Sequence, residues 1–279
     1  MKKNACLIPL YVWTAVFVLL PLAIVIYFAF TREGAAGATE FSIDGFLRLF
    51  DPMYLGVILK SFKVAIISTL VCILCGYPAA YILARSRSRA KFIIVILMLL
   101  PMWMNFLLRT YSWLSILENT GIVNTVLSAM GFSKVRFLYN EGAVVLGTVY
   151  NYLPFMIMPI YITLLKLDES HLEAAADLGA NPVQAFLRVT LPFSVPGILS
   201  GISMVFVPSV TTFVISQLMG GGKVPLIGDV IEQQFRVVND WHFGSALSVV
   251  IMVIVLIFMH FINRGDVEAG TGNGGRLLR

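Results

Sequence analysis

The sequence predicts an all-α integral membrane protein with six transmembrane helices. Of its 279 residues, 58% are hydrophobic and 13% charged, and the mean hydropathy is +0.87. The apolar residues gather into six runs separated by polar stretches. Soluble domains hold about 45–50% apolar residues. A helix rising about 1.5 Å per residue needs roughly 20 apolar residues to cross a hydrocarbon core of about 30 Å. The runs cover residues 8–30, 64–84, 92–113, 142–165, 195–219 and 243–263, and none contains Asp or Glu. A charge at a helix centre costs about 2.5–3.5 kcal/mol, which fits the placing of Arg109 and His260 near run ends.

The first run follows Met1-Lys2-Lys3 and exceeds the apolar region of a signal peptide, about 7–15 residues, so it reads as a retained span. Runs two and three are joined by "RSRSRAK", residues 85–91, with four bases and no acid. The positive-inside rule places that loop in the cytoplasm. Six spans then put both termini, and segment 166–194 between spans four and five, on the cytoplasmic side. Proline falls inside five of the six runs, at Pro21, Pro78, Pro101, Pro154 with Pro159, and Pro208. Each removes a backbone hydrogen bond and kinks its helix. Gly197-x-x-x-Gly201 lets two backbones approach closely. Residues 1–263 read as one transmembrane domain, and the glycine-rich residues 264–279 as a disordered cytoplasmic tail.

Segment 166–194 is polar and heavily punctuated. Ser170-x-x-Glu173 reads as a capping box, and Gly179 as the stop of a short helix. Asn181-Pro182-x-Gln184 opens a second helix, because Asn caps, Pro suits the first helical position and Gln reaches back. Leu191-Pro192 is expected to end it. Leu172, Ala175, Ala176 and Gly179 share one face of the first helix, and Val183, Phe186, Leu187 and Thr190 one face of the second. Helices shorter than about 12–15 residues are marginal alone in water, so this pair needs a docking partner.

The remaining chemistry is sparse. Cys6, Cys72 and Cys75 are too few and too scattered for a disulfide framework, and Cys72-x-x-Cys75 sits in an uncharged run without a His, so no metal is expected. The net charge of +5 comes from bases that punctuate apolar runs, which argues against nucleic acid. "GGGK", residues 220–223, lacks the phosphate-loop pattern, and no ATP or Mg is expected in this chain. His171, His242 and His260 lie far apart and the runs hold no acids, which excludes an intramembrane enzyme and disfavours a secondary transporter or channel.

One pattern in segment 166–194 is specific. Glu173-Ala174-Ala175-x3-Gly179-x9-Val189-x-Leu191-Pro192 resembles the EAA loop of permease subunits of binding-protein-dependent ABC importers, usually written E-A-A-x3-G-x9-I-x-L-P. Val189 replaces Ile and keeps a β-branched apolar side chain. The resemblance implies the type I importer permease architecture and a bacterial inner-membrane location. It also implies that Glu173, Ala174, Ala175, Asp177, Gly179, Val189, Leu191 and Pro192 belong to coupling helices docking on a cytoplasmic ATPase. Stretches 41–62, 99–124, 150–161 and 218–235 are most similar to the first permease subunit of spermidine/putrescine importers. Permeases for ferric iron, opines and phosphonates share parts of them. The partners this implies are a second homologous permease, a dimer of cytoplasmic ATPases that bind ATP and Mg, and an extracytoplasmic polyamine-binding protein.

Trp103, Asn105, Tyr111, Tyr150, Asn151, Tyr152, Thr211 and Gln217 are the candidate lining of a substrate path. Aromatic faces and amides pass an organic dication by cation–π contact and hydrogen bonding, without a deep charged trap. Arg109 fits such a path only with an acid beside it, and Glu118 is the expected partner.

Overall fold

The computed structural model describes residues 8–33, 39–86 and 89–275. Helix α1 (Ile8–Thr14) continues through a π turn, Ala15–Leu19, into α2 (Leu20–Ala29). A short antiparallel pair follows, β1 (Thr31–Glu33) with β2 (Thr39–Phe41), and then α3 (Asp44–Arg48). Helix α4 (Pro52–Arg85) is capped by Asp51, whose side chain accepts from the Met53 N–H. Its 34 residues span about 51 Å, more than a bilayer core needs, so it starts twelve residues before the apolar run at 64.

Five helical stretches are long and apolar enough to cross a membrane: Val12–Ala29, Pro52–Arg85, Glu141–Leu165 (α8), Pro182–Thr211 and Trp241–Ile262. The third apolar run is different. It is broken into α5 (Ala90–Trp103) and α6 (Phe106–Leu117), and the chain bends by 98° at the break. The run expected as a span over 92–113 is thus two helices set at 98° to each other, not one straight helix. Pro101 weakens the end of α5, and Asn105 starts a new helix by accepting from the N–H groups of Leu107 and Leu108. The run at 195–219 is also interrupted, with α11 (Leu191–Thr211) ending at an extended Thr212 before α12 (Val214–Gly220).

Leu191-Pro192 does not end a helix. Helix α10 (Pro182–Ala185) passes through a π turn, Phe186–Thr190, directly into α11. The Leu191 N–H bonds back five residues to the Phe186 carbonyl, and this wider turn receives the proline without a break. The final helix, α14 (Trp241–Gly275), likewise extends past residue 263 into the segment expected to be disordered, because no proline stops it, and residues 276–279 lie outside the described residues.

Helices α4, α8 and α11 pack together around Cys72, Tyr77, Ala80, Met156, Ile157, Ile160 and Val205. Gly201 lets α11 meet α8: a Cβ there would lie 2.7 Å from the Met156 sulfur. A second cluster joins Ala65, Phe206, Val210, Phe243, Leu247 and Ile251. A third, at one end of the bundle, joins Val64, Leu117, Val144, Ile215, Met219 and Leu226. That end also carries α7 (Ile122–Ala129), α13 (Ile227–Gln233) and ion pairs from Lys63 to Glu141 and Arg48 to Asp240. The opposite end carries α9 (Ser170–Asp177) and α10.

Candidate functional site

The α9–α10 hairpin is built mainly by local rules. Helix α9 ends in a complete Schellman motif: Gly179 has φ of +83°, its N–H donates to the Ala176 carbonyl at 2.8 Å, and the Ala180 N–H donates to the Ala175 carbonyl at 3.0 Å. Glycine holds that left-handed conformation without strain. Two residues later the expected box is present, with Asn181 accepting from the Gln184 N–H at 2.8 Å and Gln184 from the Asn181 N–H at 3.1 Å. The other expected box is absent. Ser170 is already inside α9, and Asp168 Oδ1 accepts its N–H at 3.0 Å. That backbone bond, more than the serine hydroxyl or nearby His171, holds the Asp168 carboxyl below its usual range.

The hairpin hangs on α4 through one ring. Phe186 meets Tyr77 and Tyr81 edge-on, with ring centroids 5.8 and 5.6 Å away, and the Tyr77 hydroxyl bonds the Ser194 hydroxyl at 3.0 Å. Val189 and Leu191 are half-buried, while Pro192 is exposed. Leu172 and Ala175 turn partly inward, but Glu173, Ala174, Ala176, Asp177 and Gly179 are exposed. Leu178 is 89% exposed, Val183 65% and Leu187 53%. An acidic and apolar surface thus sits on a hairpin whose backbone is fixed. The sequence put Phe186 on one face with Val183, Leu187 and Thr190, but only Phe186 and Thr190 turn inward, and the partners of Phe186, 105 and more residues away, carry no local signal.

The eight candidate path residues do not converge on one cavity. Tyr150 packs edge-on against Trp113 at 5.1 Å, beside Arg109. Tyr152 reaches Thr212 at the break between α11 and α12. Trp103 is 92% exposed at the end of α5, and Tyr111 is exposed on α6. Asn105 is committed to capping α6, and Asn151, fully buried, donates to the Gly147 carbonyl. Thr211 faces outward, and Gln217 donates to Glu232 at the rim. Arg109 finds no carboxylate among the described residues, so the expected pairing with Glu118 is absent. Its Nη1 donates instead to the Pro101 carbonyl at 3.0 Å. A separate groove of about 350 Å³ follows the kinks at Pro154 and Pro159, lined by Met102, Met158 and Met204.

Residues 73–264 match the family model described as "Binding-protein-dependent transport system inner membrane component". The chain belongs to this family. The Escherichia coli (strain K12) protein "Spermidine/putrescine transport system permease protein PotB" is 39% identical over 247 residues, covering 87% of this inner-membrane component and 90% of that protein. Among solved structures, a bacterial ABC transporter that imports the acidic polysaccharide alginate superposes with a TM-score of 0.80 at 18% identity, covering 96% of each chain. The same kind of transporter, in complex with an alginate pentasaccharide-bound periplasmic protein, gives 0.78 at 18% identity, covering 94% of each. At that identity the likeness speaks for fold alone. This inner-membrane component has the type I ABC importer permease fold, and it is a membrane permease subunit of an ABC transporter.

Proposed function

We propose that this permease carries polyamines, spermidine or putrescine, into the cell, and that the α9–α10 hairpin couples it to ATP hydrolysis. The carrying observation is the hairpin itself: rigidly capped at Gly179 and Asn181, exposed at Glu173, Asp177 and Leu178, and tied to α4 by Phe186. A load on that surface is transmitted to α4 and α11, the helices of the bundle core. Polyamine as cargo is supported by the 39% identity to a permease bearing that name.

The partners in this reading are a second homologous permease, a dimer of cytoplasmic ATPases that holds all the ATP and Mg, and an extracytoplasmic binding protein. The last is supported by the periplasmic protein bound to the alginate transporter of the same fold. The basic loop at 85–91 sets both termini and the hairpin on the cytoplasmic side. With no acid inside the apolar runs, the path holds the dication weakly and selection falls to the external receptor. Affinity purification in mild detergent tests the reading. An ATPase and a polyamine-binding receptor should co-elute, whereas a lone chain with catalytic activity of its own would refute it.

A further inference from the structure

Arg109 is 7% exposed, lies in an apolar run, and has no carboxylate within ion-pairing distance among the described residues. Its Nη1 donates to the Pro101 carbonyl at 3.0 Å, and its Nε has no partner among the described residues. The guanidinium lies 5.8 Å from the Phe106 ring centre and 5.9 Å from that of Tyr150. Carbonyl and rings soften its desolvation while leaving a full positive charge uncancelled.

The position of that charge gives it meaning. The Lys91–Trp103 limb is 13 residues long, about 20 Å, and cannot cross the hydrocarbon core before the 98° bend. The break therefore lies at membrane depth, where irregular backbone is tolerated only against protein or a water-filled route. The second break, at Thr212 and Phe213, is close by, because α6 packs on both α8 and α12, and α12 starts at Val214, directly after that break. Two interrupted spans meet with an uncancelled arginine between them.

We propose that Arg109 is an electrostatic barrier to small inorganic cations at the mouth of the translocation route. This rests on the reading that the chain lines that route. A water-filled opening wide enough for a polyamine passes hydrated K⁺ or Na⁺ by size, so size alone cannot keep the membrane tight. A fixed guanidinium excludes them by charge, and its hold on the Pro101 carbonyl keeps that charge at the break. Polyamine passes when the opening of the assembled importer separates the two breaks and moves Arg109 away from the route.

The test is potassium efflux from liposomes holding the assembled importer without ATP. Wild-type vesicles should be tight, Arg109→Gln vesicles should leak about tenfold faster or more, and Arg109→Lys should be tight again because it restores the charge. Arg109→Gln vesicles as tight as wild type, or Arg109→Lys vesicles as leaky as Arg109→Gln, would overturn the proposal. If Arg109→Gln does not assemble, Tyr150→Glu decides, since it keeps the arginine and sets a carboxylate beside it. That variant should leak, and a tight one overturns the barrier. Absence of ATP-driven spermidine uptake by the wild-type complex would count against the importer reading instead, whatever the potassium result.

Discussion

The α9–α10 hairpin and the paired breaks in the third and fifth apolar runs are both departures from straight helix, yet they are held in opposite ways. The hairpin closes with bonds between residues at most five apart, from Asp168 to Ser170, Gly179 to Ala176 and Asn181 to Gln184. The breaks also lean on groups beyond their own turn: Arg109 on the Pro101 carbonyl eight residues away, Tyr152 beside Thr212, and, next to the second break, the Ile227 N–H on Ser61 at 2.7 Å. A locally closed element keeps its shape when its surroundings move and so suits a lever. An element closed by tertiary contacts changes shape when those contacts shift, which suits a gate.

The lever is most sensitive at Gly179. Proline there is fixed near φ −65° where +83° is needed and loses the N–H that bonds Ala176, so the Schellman motif cannot form. Gly179→Pro should insert at normal levels while losing both ATP-driven uptake and recovery of the ATPase. Gly179→Ala costs only about 1–2 kcal/mol, because a Cβ there meets nothing within 4 Å, and should retain partial uptake.

Phe186→Ala attacks the hinge between lever and bundle. Truncating a fully buried Phe costs about 3–5 kcal/mol, and half-buried Phe186 about half that. ATP hydrolysis should persist while uptake falls several-fold, and equal losses of both would show that Phe186 only stabilises the fold. Tyr77→Phe is milder, removing one hydrogen bond worth about 0.5–1.5 kcal/mol, while the Ser194 hydroxyl still donates to the Leu191 carbonyl at 2.8 Å. A thermal melt in detergent should detect a small drop with uptake retained.

The same contrast explains what the sequence disclosed. Length and hydropathy located six apolar runs, and turn chemistry located Gly179 and Asn181, since those signals are local. Asp168, which takes the Ser170 N–H, lay two residues before the expected box. The break at Met104-Asn105 was hidden because hydropathy stays high across it, although Pro101 followed by Asn105 is a local stop-and-start signal. The π turn that carries the chain through Leu191-Pro192 and the seat of Phe186 between Tyr77 and Tyr81 depend on packing against α4, which no window of sequence contains.

The smallest expected effect is at Asp229, on α13 near the second break. Burial pushes its carboxyl above the usual range, against the opposing bond from the Leu226 N–H at 2.7 Å. A folded-state value raised in this way gives stability that is present below the usual carboxylate range and lost as pH rises through the raised value. Asp229→Asn should therefore match wild type near pH 4 and melt slightly higher at about pH 7. A gap that widens toward low pH would contradict that sign.

Docking of the α9–α10 hairpin on the ATPase is measured most directly at Leu178, 89% exposed beside Gly179. A single Leu178→Cys in a cysteine-free background, in membranes containing the assembled importer, is treated with a short bifunctional thiol reagent after introducing a cysteine on the ATPase surface. A permease–ATPase adduct should form, and an impermeant maleimide added outside intact cells should leave Leu178→Cys unlabelled. Labelling from outside, with no adduct, would contradict this docking.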